Sequence, residues 1–237
     1  MIIVGNLKMN LSFEEIRRYE QAIRGYDVII CPSFLYLTLF NQGRYQACAQ
    51  NISAFDNGPY TGEVSANQLK SMGVNYVLIG HSERRHVFNE SQEEINKKIK
   101  QALNNKLKII YCVGETRAEM DNNESFDVIQ NQLVAAFDQI NKEEMTNIII
   151  GYEPVWAISD GIHPNVAPQN NQIEKINNYI NETIRNKYGV EVPLLYGGSV
   201  NLNNIENLLL IKSCQGFLIG GASKNLEEFI KIMEICK

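Results

Sequence analysis

At 237 residues, with 44% hydrophobic side chains and a net charge of −5, the chain is long enough to bury a substantial core and is mildly acidic. That balance, with no basic stripe or arginine cluster, argues against nucleic acid or an anionic membrane surface as a partner. Met1 leads into Ile2, Ile3 and Val4, but Gly5, Asn6 and Lys8 end the apolar run too early for a signal peptide or a spanning helix. A soluble, cytoplasmic protein is therefore expected. Cys31, Cys48, Cys112, Cys214 and Cys236 are odd in number and lack metal-ligand spacing, so they are read as reduced and mostly buried.

Taken in chain order, short β-branched runs recur at 2–7, 28–31, 47–50, 76–80, 109–113, 148–152, 194–197 and 217–219. Between them lie segments whose apolar residues fall three and four apart, among them 90–103, 127–140, 172–187 and 226–235. Parallel strands need such crossovers. Eight units of about 30 residues suit a closed (β/α)8 barrel, and no linker interrupts them, so residues 1–237 are read as one α/β domain. In barrels of this kind the chemistry lies at the carboxyl ends of the strands. Those positions hold Asn6 and Lys8, Gln50 and Asn51, His81 and Glu83, Cys112 and Glu115, Glu153, Gly197 to Ser199, and Gly220 with Gly221, a set too polar and glycine-rich for core.

Lys8, just past the first strand, offers a cation for a phosphate or a developing oxyanion, although a solvated lysine is as common there. His81 follows Gly80 at the end of the fourth strand. If a helical turn starts at His81, unpaired amides disfavour an imidazolium, and a neutral ring can polarise a carbonyl by donating a hydrogen bond. His86 and His163 lack such support and are read as structural or solvent-facing. Glu153 ends the apolar strand 148–152, and Pro154 fixes the backbone behind it, as suits a mounted base or a turn glutamate. Two glycine pairs, Gly197 with Gly198 and Gly220 with Gly221, follow the last two strands. One pair alone would mark a tight turn. Together they fit a phosphate cradle of backbone amides, with a hydroxyl from Ser199. No P-loop or dinucleotide fingerprint accompanies them, and no metal site is evident.

The segments NLKMN, GHSERR, YCVGE, YEPVWAI, YGGSV and GGAS occur in an order that resembles the triosephosphate isomerase family along essentially the whole chain. The resemblance implies interconversion of dihydroxyacetone phosphate and glyceraldehyde 3-phosphate through an enediolate, with no cofactor and no metal. It makes Glu153 the base and His81 the electrophile, a pairing for which this family is itself the standard example. Lys8 and Asn6 would stabilise negative charge, and Glu83 would support the constellation from behind. Phosphate would rest on amides around Ser199, Gly220 and Gly221 and one from a lid that begins at Pro154. In the loop 50–63, Phe55, Pro59 and Tyr60 are apolar for a loop tip, and Thr61 to Glu63 matches the family's interdigitating loop. That implies a homodimer in which Thr61 reaches the neighbouring site. Another phosphosugar aldose–ketose isomerase, or a non-catalytic phosphosugar-binding barrel, remains open on the glycine pairs alone.

Two places depart from the family pattern. The lid reads Ser159, Asp160, Gly161, Ile162, His163, Pro164, Asn165, Val166, Ala167, Pro168, where the family has Gly, Thr, Gly, Lys. Ser159 retains its N–H for phosphate. Asp160 adds a charge that, at about 7 Å and an effective dielectric of about 20, repels a dianion by roughly 2 kcal/mol before screening. Gln215 stands where the family has Asp, which removes a potential ionic contact for Arg185.

Overall fold

The computed structural model describes residues 1–158 and 168–237. Strands β1 (Ile2–Asn6), β2 (Ile29–Cys31), β3 (Gln46–Ala49), β4 (Tyr76–Ile79), β5 (Lys108–Val113), β6 (Ile148–Tyr152), β7 (Leu194–Tyr196) and β8 (Gly216–Ile219) are all parallel. They pair in sequence order, and β1 closes on β8. The expected (β/α)8 barrel is the observed fold. Closure leaves no sheet edge, so every strand can be short without exposing unpaired amides.

Alternation along each strand sorts its side chains to two faces. Val4, Ile29, Cys31, Cys48, Leu78, Ile110, Cys112, Ile149, Leu195 and Leu218 fill the barrel interior. Their neighbours Ile3, Ile30, Val77, Ile79, Ile109, Tyr111, Ile148 and Ile150 face the helices. Both faces are buried, which explains why the runs read as continuously apolar. The five cysteines are free thiols, three of them in the interior layer.

Helices α1 (Phe13–Ile23), α2 (Ala66–Ser71), α3 (Ser82–His86), α4 (Gln92–Asn104), α5 (Arg117–Asp121), α6 (Ser125–Ala136), α7 (Asn170–Tyr188), α8 (Ile205–Leu208) and α9 (Leu226–Ile235) form the outer layer. α9 has the expected bounds, and others differ for local reasons. α4 begins after Ser91, whose hydroxyl accepts from the Glu94 amide, so Glu90 is left outside the helix and turns inward. α6 ends at Ala136 because Gln139, expected to be helical, adopts a positive φ of 61°. α7 runs to Tyr188 and stops at Gly189, which takes the left-handed cap conformation.

The departure at Gln215 has a structural answer. Its Oε1 accepts from the Leu194 amide at 2.8 Å, and its own N–H donates to the Leu194 carbonyl, so it ties the start of β7 to that of β8. Arg185 pairs instead with Glu191. The lost acidic partner is thus replaced at both ends. No helix among the described residues is long and apolar enough to cross a membrane.

Candidate active site at the carboxyl ends of the strands

Each candidate side chain is placed by the backbone that ends its strand. After β4, Gly80 adopts φ 73°, and a side chain there would meet Arg85 Nη2 at 2.8 Å. The turn therefore belongs to glycine, and it delivers His81 as the N-cap of α3. His81 Nδ1 accepts from the Glu83 amide at 3.2 Å, which assigns the ring proton to Nε2. Nε2 lies 3.4 Å from Glu153 Oε1.

Glu153 leaves β6 with its amide donating to the Val113 carbonyl at 2.8 Å. It is only 3% exposed, and its Oε2 has no hydrogen-bond partner among the described residues. Burying a half-satisfied carboxyl group costs stability, which marks Glu153 as a candidate functional residue. The stem packs against Gly197, where a Cβ would come within 2.7 Å of Glu153 Cγ. The first glycine of that pair makes room for the carboxylate as well as shaping a turn. Below it lies Cys112, whose thiol is pushed well up by burial and by the Glu153 charge, which leaves it protonated.

Lys8 has a φ of 52°, a conformation that costs about 1–3 kcal/mol for a residue with a side chain. Asn6 Oδ1 accepts the Lys8 amide at 3.1 Å, and Gln50 Nε2 donates to the Lys8 carbonyl at 2.9 Å and to the Cys31 carbonyl at 2.8 Å. The backbone is thereby held in its strained form. Lys8 Nζ reaches Glu83 Oε1 at 2.7 Å. Burial pushes the Glu83 carboxyl up, but the hydrogen bond from the Lys8 ammonium and its charge outweigh it and leave it below the usual carboxylate range. Glu83, expected behind the site, is in direct contact with the lysine.

Asn6, Lys8, His81, Glu153, Ser199, Gly220 and Gly221 all line one cavity of about 290 Å³. The amide of Ser199 donates to the Ala157 carbonyl at 3.0 Å, so this expected phosphate donor is engaged with the end of the segment that follows Pro154. Ser159 and Asp160, like the rest of 159–167, lie outside the described residues, and Pro168 is buried. Thr61 is exposed in the loop 50–63, where Phe55 and Tyr60 stack with centroids 4.1 Å apart. Among the described residues no group of three His, Cys, Asp or Glu is placed to hold a metal.

Sequence reasoning left Glu115 without a role. Its carboxylate accepts from Trp156 Nε1 at 2.9 Å and Tyr152 Oη at 3.1 Å, and its carbonyl accepts the Val155 amide, so one residue grips both sides of Glu153. The signal was an acidic residue two positions past the end of a strand. Burial pushes the Glu115 carboxyl up, and the two donors pull it only part of the way back. A raised value in the folded state means that stability is complete below about pH 4 and is lost as pH rises through the folded value. The melting temperature of the native chain relative to Glu115→Gln is therefore expected to fall between pH 4 and pH 7; a difference that holds constant or grows counts against this.

The family profile for triosephosphate isomerase matches residues 1–236. The triosephosphate isomerase of Alkaliphilus oremlandii is 39% identical, over 98% of this chain and 98% of its own. That of Natranaerobius thermophilus is 35% identical over 100% and 96%, and that of Flavobacterium psychrophilum 36% over 98% and 97%. On this full-length match, the chain belongs to the triosephosphate isomerase family.

Proposed function

We propose that residues 1–237 act as one barrel that interconverts dihydroxyacetone phosphate and D-glyceraldehyde 3-phosphate, with the site at the carboxyl ends of its strands. The carboxylate of Glu153 takes a proton from one carbon and returns it to its neighbour. His81 donates from Nε2 to the carbonyl oxygen that becomes negative, and Lys8 and Asn6 stabilise the resulting enediolate. Glu83 holds the Lys8 ammonium in place. The observation that carries this reading is the 3.4 Å approach of His81 Nε2 to Glu153 Oε1 in a cavity shared with Lys8. A proton donor and a proton acceptor flank a space sized for a small anion.

The phosphate end consists of Gly220, Gly221 and Ser199, with Ser159 as the donor from the lid. For Ser199 to serve, its amide must leave the Ala157 carbonyl, which links phosphate binding to movement of the chain after Pro154. Closure would keep water from the enediolate, which otherwise expels phosphate. A coupled assay comparing triose phosphates with larger phosphosugars tests the reading. Turnover confined to triose phosphates is expected, and turnover of a larger sugar phosphate alone would overturn it.

The chain also reads as a homodimer of the cytoplasm, the compartment that a glycolytic role implies. Its support is local: Met9, Phe34 and Phe88 are partly or largely exposed around a second cavity of about 180 Å³, on which Lys8, His81 and Glu83 also border. The Phe55 and Tyr60 stack beside Thr61 supplies a tip of matching chemistry from a second copy. Sedimentation should give twice the chain mass; a monomer at assay concentration would remove Thr61 from the site.

A further inference from the structure

We propose that Lys224 is a second phosphate-directed cation of this site, and that Glu228 opposes it. The inference rests on the isomerase reading and adds two residues to the phosphate end. Both line the cavity of about 290 Å³ together with Gly220, Gly221 and Ser199. Their neighbours are committed elsewhere: Ser223 Oγ donates to the Asn6 carbonyl at 3.0 Å, and Asn225 Oδ1 caps α9 by accepting from the Glu228 amide. Lys224 is exposed, at the end of the short 3-10 turn Ala222–Lys224, so its stem is unconstrained. Glu228 is tethered, its Oε1 accepting from the Leu202 amide at 3.3 Å.

Charge decides the matter. Among the described lining residues Lys8 and Lys224 are cations, and Glu153 and Glu228 are carboxylates. Lys8 is already held by Glu83 at 2.7 Å, beside His81 at the reacting end. Among the described lining residues of this acidic protein, Lys224 is the cation that an entering dianion meets besides the Lys8 already held by Glu83. Loss of that ammonium leaves the wall net negative, and loss of the Glu228 charge does the reverse. The effect acts through space at a solvated rim, so salt must weaken it.

The test is calorimetric titration of inorganic phosphate into the native chain, Lys224→Met, Lys224→Arg and Glu228→Gln. At about 10 mM ionic strength, Lys224→Met is expected to raise Kd by about three- to tenfold, and Glu228→Gln to lower it by about twofold or more. At about 0.5 M salt both changes should shrink to within about twofold, while Lys224→Arg stays near the native value throughout. Gln keeps the acceptor for Leu202, and Lys224 is exposed, so melting temperatures should move by no more than about 4 °C, the part at Glu228→Gln coming from the charge lost in the first turn of α9. Turnover of D-glyceraldehyde, which has no phosphate, should be unaffected by Lys224→Met, while kcat/KM for glyceraldehyde 3-phosphate falls. An unchanged phosphate Kd at low salt, or equal loss with both aldehydes, overturns the inference. A native chain that binds phosphate but turns over no triose phosphate overturns the isomerase reading instead, because the titration does not depend on turnover.

Discussion

Replacing Glu153 by Asp is expected to lower kcat by about 100-fold or more, while the affinity for inorganic phosphate stays within about twofold. Glu153 is fixed at three points: its amide bonds to Val113, Pro154 follows it, and its stem packs on Gly197. With the backbone unable to follow, removing one methylene withdraws the carboxylate by about 1 Å, and misplacement of that size costs about 100-fold, or about 2.7 kcal/mol of barrel-imposed alignment. The His81 approach, already 3.4 Å, would lengthen further. Gly220 and Gly221 follow β8, two strands away from β6, and shortening Glu153 only removes atoms from its packing on Gly197, so the phosphate end is expected to change little. Steady-state kinetics with phosphate as a competitive inhibitor separates the two quantities. If kcat survives, Glu153 is not the base; if kcat and phosphate affinity fall together, the cavity itself has been disturbed.

The candidate catalytic residues were legible because strand ends are marked in the sequence. A β-branched run followed by Gly80 and His81, or by Glu153 and Pro154, indicates where the chain leaves the sheet, and barrel geometry gathers all such ends on one rim. What the sequence left open was the partner of each group. Glu83 binds Lys8 across 75 positions, and the Ser199 amide spends its bond on Ala157, because both contacts are set by how neighbouring loops fold over the rim. Gln215 illustrates the same limit from below the barrel: the loss of an acid was readable, but its use as a clamp on Leu194 depended on strand register. Lys98 is an intermediate case. It lies on the apolar face of α4, between Ile95 and Ile99 and four before Ala102, so burial could be read from spacing. Its partner could not, because Glu90 belongs to the turn before the helix.

That buried pair carries the largest expected effect on stability. Lys98 and Glu90 side chains are each 1% exposed, and Lys98 Nζ lies 2.7 Å from Glu90 Oε2, 3.1 Å from Glu94 Oε1 and 3.1 Å from Asn51 Oδ1. Arg84 Nε also binds Glu90 Oε2 at 2.6 Å, while Glu90 Oε1 has no partner among the described residues. Lys98→Met therefore leaves a buried carboxylate with one cation instead of two, and breaking such a pair costs about 3–5 kcal/mol. For a chain of this length that corresponds to a fall in melting temperature of about 6–20 °C, nearer the lower end because Arg84 remains. The double variant Lys98→Met with Glu90→Met should recover most of the loss, since the charge is then removed rather than stranded and the partly exposed Arg84 can turn to water. The cluster also reaches the site. The Glu90 amide donates to the Arg84 carbonyl, the Arg84 amide donates to the His81 carbonyl, and Asn51 adjoins the Gln50 that holds Lys8. Below its melting point Lys98→Met should nevertheless keep kcat within about tenfold, because His81 retains its own bond from Glu83 and Gly80 still sets the turn. A loss of kcat as large as that of Glu153→Asp, in a variant still folded at the assay temperature, would mean that this buried pair positions His81 rather than simply securing α4 to the barrel.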